Sequence, residues 1–183
     1  MTATSVPVQD NLLIQRSKAG DHGAFRELYD QNVAPLFRFM RQFSDNQEQV
    51  EDWVQRAFIK AYENLHRFDG ISLFSTWLFK LALNEMRMDF RRARILTFIP
   101  AGDRDDEGPE ENGSAFEWDM TMKQWLSELD ETKRVVFLLY EVEGYSHAEV
   151  AAILHIKEST SRTLLTRTKQ FLRKRWEEER KAI

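Results

Sequence analysis

Between Lys157 and Arg175, seven lysines and arginines face a single acid, Glu158. A run of that sign is a phosphate-binding footprint, because each cation can replace a counterion condensed on a nucleic-acid backbone. Ser159, Thr160, Thr163 and Thr166 lie among these cations, and hydroxyls of this kind hydrogen-bond to phosphates and base edges. A second stretch of similar character lies upstream. From Phe68 to Arg94, the rings of Phe68, Phe74, Trp77, Phe79 and Phe90 are interleaved with Lys80, Arg87, Arg91, Arg92 and Arg94. Single-stranded nucleic acid is held by such a surface, with cations on the phosphates and rings under the unstacked bases. Phe74, Trp77 and Leu78 sit at helical spacing, so most of these rings are expected in a core and one or two at the surface.

Catalytic chemistry finds little support. The chain has no cysteine, which removes disulfides, thiol nucleophiles and cysteine-based zinc sites together. His22, His66, His147 and His155 lie far apart and show no metal-ligand spacing. There is no glycine-rich phosphate loop, and no motif supports a nucleophilic triad. The expectation is a protein that is not an enzyme and uses neither metal nor cofactor.

Helices must position these residues. Gly and Pro are scarce, with 7 and 4 in 183 residues, and the apolar residues recur at helical rather than alternating spacing, so an all-α protein is predicted. Phe25, Leu28, Tyr29, Leu36, Phe37, Met40 and Phe43 mark one amphipathic segment, which Pro35 either splits or kinks. Val50, Trp53, Val54, Ala57, Phe58, Ala61 and Leu65 mark a second, ending before Asp69-Gly70. A third runs from Phe74 through Arg87 towards Arg94. Beyond it, Met122, Trp125, Leu126 and Leu129 suggest a further helix. The apolar run Val135 to Tyr140 reads as a buried helix in preference to a strand, because Asp130 precedes it as an N-cap. Ser146 and Glu149 have capping-box spacing, so a short helix through Leu154 should follow, then a turn and a long basic helix from about Ser159 to Trp176. A capped helix, a turn and a polar, basic helix form the pattern of a helix-turn-helix, with the small Ala151 permitting a close crossing.

The net charge of −4 hides its distribution. Residues 95–118 carry one basic and seven acidic side chains, whereas 24–94 carry 11 and 10, and 119–183 carry 12 and 11. Residues 100–114 combine Pro, Gly and acid with no apolar residue beyond alanine, the composition of a flexible linker that cannot bury enough surface to order itself. The N-terminal residues lack a basic region followed by an apolar run, and no apolar stretch approaches the roughly 20 residues that cross a bilayer. The expectation is a soluble, cytoplasmic protein with no membrane insertion.

Three segments, Glu51 to Phe58, Arg67 to Gly70 and Phe74 to Asn84, resemble the second conserved region of extracytoplasmic-function sigma factors of the sigma-70 family. Leu126 to Leu129, Val135 to Leu139, Glu143 to Ser146 and Glu149 to Ala151 resemble their fourth region. The resemblance spans most of the chain, in the right order, with the acidic stretch between the two parts. It implies a region 2 domain over 1–95, an acidic flexible linker over 96–117, and a region 4 helix-turn-helix domain over 118–183. The implied partners are core RNA polymerase, through the clamp coiled coil of its largest subunit and its flap region, and promoter DNA; an anti-sigma factor is a further candidate. The free protein is expected to be a monomer.

The same resemblance implies residue roles. Asp52, Gln55 and Phe58 would lie on the helix that docks on the clamp. Asp69, Ser72, Phe74 and Asn84 would hold a base flipped from the −10 element, and Arg87, Arg91 and Arg92 would contact the DNA backbone. At the −35 element, Ser159, Thr160, Arg162, Thr163, Thr166 and Arg167 would face the major groove, with Lys169 and Arg173 on phosphates. Three positions depart from the family pattern. His155 stands where the turn often has Gly, Ser161 fills a usually apolar slot, and Leu164 replaces an expected basic residue. Leu164 either turns inward beside Leu165 or offers an apolar contact to a thymine methyl. The implied function is that of an alternative sigma factor. A sigma-like protein that titrates an anti-sigma factor and a free-standing helix-turn-helix repressor are the other readings.

Overall fold

The computed structural model describes residues 8–97 and 120–182, and every element among them is helical. The chain forms two compact units, Met1–Glu110 and Glu111–Ile183. Nearly all of the expected linker, residues 98–117, lies outside the described residues. No helix among the described residues is long and apolar enough to cross a membrane.

In the first unit, α1 (Val8–Lys18) packs on α2 (His22–Met40), α2 on α3 (Gln47–Asn64), and α3 on α4 (Phe74–Thr97). Sequence reading placed no element in the region of α1, where Leu13, Ile14 and Ser17 turn inward. Three inward residues in under two turns are too short a pattern to stand out from periodicity alone. Asp21 caps α2 by accepting from the Ala24 amide (3.1 Å). That amide, and then Arg16 at 2.7 Å, hold the Asp21 carboxyl below its ordinary range. Pro35 does not split the segment; α2 runs through it to Met40. A single missing donor near the end of the helix is outweighed by burial of Leu28, Leu36, Phe39 and Met40. Asn46 caps α3 through the Gln49 amide (3.0 Å), and the stripe Val50, Trp53, Val54, Ala57, Phe58 and Ala61 is buried as its spacing predicts. A 3-10 turn, Leu65–Arg67, closes α3.

The second unit contains α5 (Met120–Ser127), α6 (Glu131–Phe137), α7 (His147–Leu154) and α8 (Glu158–Ala182), with α8 packed on both α6 and α7. Asp130 caps α6, accepting from the Lys133 amide at 2.9 Å, and the run Val135 to Leu139 is buried helix rather than strand. Its end is a π-helical turn, Leu138–Val142, a wide turn of the kind found as single insertions in α-helices. Gly144 follows with φ +74, beyond the reach of most side chains. Ser146 and Glu149 form the reciprocal capping box at the start of α7, the Ser146 amide donating to the Glu149 carboxylate at 2.8 Å. His155 ends α7 in the left-handed region with φ 55. Glycine is the residue that most often ends a helix in this conformation.

Candidate nucleic-acid interface

On α3, Asp52 and Gln55 point away from buried Trp53 and Val54. Gln55 is exposed, and Asp52 is half-exposed in an ion pair with Arg56 (2.5 Å). Phe58, the third residue expected to dock, is instead in the core at 4 % exposure, its ring 4.6 Å from that of Tyr29. Its place in the stripe with Val54 and Ala61, at spacings of four and three, turns it inward, so it supports α3 from below and offers no contact surface. Ile59 and Tyr62, which sequence reading did not select, are exposed and continue the line of Gln55 at i+4 and i+7. Helical spacing leaves Ile59 out of the buried stripe, but nothing in the sequence marked its exposed face as a contact.

Arg56 reaches a second carboxylate, Asp89 of α4, at 3.2 Å, and Asp89 also accepts from the indole N–H of Trp53 (2.8 Å). Burial opposes the Arg56 charge, but Asp52 and Asp89 more than offset this and hold the guanidinium above its ordinary range. Arg92 approaches the same Asp89 at 3.7 Å. Nearby, Lys60 pairs with the buried Glu85. The surfaces of α3 and α4 are thus joined by charged groups as well as apolar packing, a network that sequence spacing could not reveal because the residues it joins across the two helices are 25 to 36 positions apart.

The turn before α4 is built on Asp69, whose carboxylate accepts from the Ile71 amide (3.0 Å) across Gly70 at φ +73. This arrangement leaves Ile71 83 % exposed and Ser72 half-buried. Phe74 does not join the loop surface. It is 1 % exposed, clustered with the rings of Phe68 and Trp77, and anchors the first turn of α4 against the core. Phe68 and Phe79 are likewise buried, while Trp77 is half-buried and Phe90 exposed. Asn84, Arg87 and Arg91 follow one another on one face of α4 at spacings of three and four, with Arg92 beside them; Asn84, Arg91 and Arg92 are exposed and Arg87 half-buried.

All eight residues selected on the basic helix, Ser159, Thr160, Arg162, Thr163, Thr166, Arg167, Lys169 and Arg173, are exposed on α8. Ser161, Leu165, Thr168 and Leu172 turn inward instead, and Leu164 is half-buried at the border. Several of the outward groups have partners within the chain. Arg162 pairs with Glu158, and Lys169 with Glu141 at 2.6 Å. The hydroxyls of Thr163 and Thr166 donate to the carbonyls of Ser159 and Arg162, each at 3.0 Å. Arg167 and Arg173 make no ion pair among the described residues. Arg175, which falls in the basic run, pairs with Glu128 of the segment after α5 (3.1 Å) and so braces the unit. The polar Ser161 has a partner that spacing did not suggest, the imidazole Nδ1 of His147 at 2.9 Å.

Residues 28–95 match the family model for sigma-70 region 2, and residues 120–172 match that for sigma-70 region 4. The RNA polymerase sigma factor NccH of Alcaligenes xylosoxydans xylosoxydans is 35 % identical over 157 residues, spanning 81 % of this chain and 84 % of that protein. The ECF RNA polymerase sigma-E factor of Escherichia coli (strain K12) is 30 % identical over 182 residues, spanning 91 % and 93 %. Among solved structures, that of CnrH in complex with the cytosolic domain of CnrY aligns over 90 % of this chain and 94 % of its own, with a TM-score of 0.69 and 27 % identity. Two region models matched in order, together with relatives similar along nearly their whole length, place the chain in the extracytoplasmic-function group of the sigma-70 family.

Proposed function

We propose that this protein, as an alternative sigma factor, directs promoter-specific transcription by joining core RNA polymerase and dividing promoter recognition between its two units. The first unit docks on polymerase through the α3 face of Asp52, Gln55, Ile59 and Tyr62, and handles the −10 element with the Asp69 to Ser72 turn, Asn84 and the arginines of α4. The second unit presents α8 to the major groove of the −35 element. The observation that supports this division is that each unit, packed on its own core, carries a separate exposed face whose polar and basic groups suit nucleic acid. Binding, not catalysis, is the work of both faces, and it takes place in the cytoplasm with polymerase. The solved structure of CnrH holds a partner's cytosolic domain, and a partner of that class that competes for the same surfaces suits this chain as well.

The test is reconstitution of the purified chain with core RNA polymerase, followed by run-off transcription on a fragmented genomic library. Discrete transcripts that need both components support the reading. Polymerase binding with no transcripts would indicate a mimic that occupies partners without promoter use, and specific DNA binding without polymerase would indicate a repressor.

A further inference from the structure

The inward stripe of α8 is unusual for a helix that must be held firmly, because two of its four members, Ser161 and Thr168, are polar and fully buried. Apolar contact between Leu165, Leu172 and the rest of the unit is non-directional and tolerates some rotation of the helix about its axis. The Ser161 hydroxyl is different. It meets the Nδ1 of His147, the first residue of α7, at 2.9 Å, and the imidazole is itself stacked on Tyr140 of the π-helical turn, centroids 4.2 Å apart and 24° from parallel. One buried hydrogen bond therefore ties the first turn of α8 to the capped start of α7 and to the end of the buried α6 segment.

We infer that the His147–Ser161 hydrogen bond is the rotational pin of α8, a positioning contact that sets which of its outward side chains reach base edges. The inference rests on the −35 reading proposed above for α8. A rotation of about 20° would carry a group about 6 Å from the helix axis through about 2 Å, more than a hydrogen bond to a base edge tolerates. The same rotation would move the Ser161 Oγ by about 1 Å, enough to break the bond to His147. The outward residues nearest the pin are Thr160, Arg162 and Thr163, in the N-terminal turns that enter the groove in helix-turn-helix proteins. The hydrogen bond thus takes the place of an apolar anchor at this buried position, with His147 supplying the partner that the Ser161 hydroxyl requires.

The experiment uses holoenzyme assembled from the full chain and core polymerase, with promoter fragments whose −35 segment is randomised, and reads the preference for the best over the median segment by sequencing the bound fraction. His147→Phe, which keeps the stacked ring but loses the hydrogen bond, and Ser161→Ala should each lower that preference by about fivefold, the equivalent of about 1 kcal/mol for one hydrogen bond. Combining the two should cost no more than either alone. His147→Asn, which returns a polar atom to the Nδ1 position, should restore most of the preference. Thermal unfolding is measured in parallel, and lost stability with an unchanged −35 preference overturns the pin, as does failure of Asn to outperform Phe. Arg162→Ala and Arg167→Ala separate the two levels. If these alter the preference while the His147 and Ser161 variants do not, only the pin is refuted, and if none of the four alters it, the −35 reading falls and the pin with it.

Discussion

Asp89 should contribute more to the first unit than any surface carboxylate, and two substitutions at this position separate the reasons. Its side chain accepts from the indole N–H of Trp53 at 2.8 Å, and Trp53 is fully buried. Asp89→Ala leaves that donor in the core without a partner, at a cost of about 1–3 kcal/mol. It also removes the ion pairs to Arg56 at 3.2 Å and Arg92 at 3.7 Å. Both are partly exposed, so together they add no more than about 1 kcal/mol. The total is about 1–4 kcal/mol, which at about 5 °C per kcal/mol for a unit of this size lowers Tm by about 5–20 °C. Asp89→Asn keeps a carbonyl oxygen for the indole and gives up only the charge, so its cost should be about 1 kcal/mol or less. Amide hydrogen exchange in α3 and α4 of the full chain reports the opening free energy of this unit directly. If Asn is as damaging as Ala, the charge rather than the indole hydrogen bond dominates and the reasoning is wrong; if both are neutral, the Trp53 donor has found another partner.

Four further outcomes follow from the same structure. His155→Gly should stabilise the second unit by about 0.5–1 kcal/mol in denaturant unfolding, because φ 55 is strained for His and free for Gly; a loss of stability would mean that the imidazole makes a contact worth more than the strain. Burial, and after it the positive charge of Arg162, hold His147 below its ordinary value of 6.5; the unfolded chain therefore binds more protons just below that pH, and the second unit should keep this contribution above pH 6.5 and lose it as pH falls towards the folded pKa, with a slope of at most about 1.4 kcal/mol per pH unit that His147→Asn removes. Asp52→Ala with Gln55→Ala should weaken polymerase binding in a titration without unfolding the chain, whereas Asn84→Ala, or removal of charge at Arg87, Arg91 and Arg92, should leave assembly intact and reduce permanganate reactivity of unpaired thymines; normal opening by the latter variants would remove α4 from the melting role. On α8, loss of a base contact at Arg162 or Arg167 should cost about 1–3 kcal/mol at one base pair, while loss of Arg173 or Lys169 should weaken all sequences alike and reduce the salt slope by about one unit; uniform weakening by all four would leave α8 as a backbone contact only.

Periodicity and capping chemistry made most of the fold legible. The stripe from Val50 to Ala61, the caps at Asp130 and Ser146, and the helical state of the run Val135 to Leu139 all emerged as the residues implied, since each depends on neighbours within a few positions. The candidate faces were legible where polar and basic residues recur at helical spacing, as along α8, and misread where an aromatic residue could serve either core or surface. Phe58 and Phe74 were expected as contacts but are buried, because aromatic area is worth more against a core than against solvent. Contacts between residues far apart in sequence were not legible at all. Nothing in the spacing links Trp53 to Asp89, or His147 to Ser161, and the polarity of Ser161 could be recognised as odd without its partner being visible.

On the function proposed above, the internal ion pairs would weaken DNA binding by the free chain. Of the cations proposed to meet DNA, Arg162 is engaged by Glu158, Lys169 by Glu141 and Arg92 by Asp89, while Arg91, Arg167 and Arg173 have no ion pair among the described residues. Each engaged cation must give up a carboxylate to bind a phosphate, and the carboxylate left nearby then repels the same backbone. Exposed pairs of this kind are worth about 0–1 kcal/mol, so the exchange is affordable when a duplex is held in place and unfavourable when each unit must capture it alone. Two faces tethered to one polymerase raise the local DNA concentration for each other, which reverses that balance without any change in either face. Replacing Glu158 and Glu141 with Gln should therefore raise the affinity of the free chain for non-specific DNA more than it raises that of the holoenzyme for a promoter.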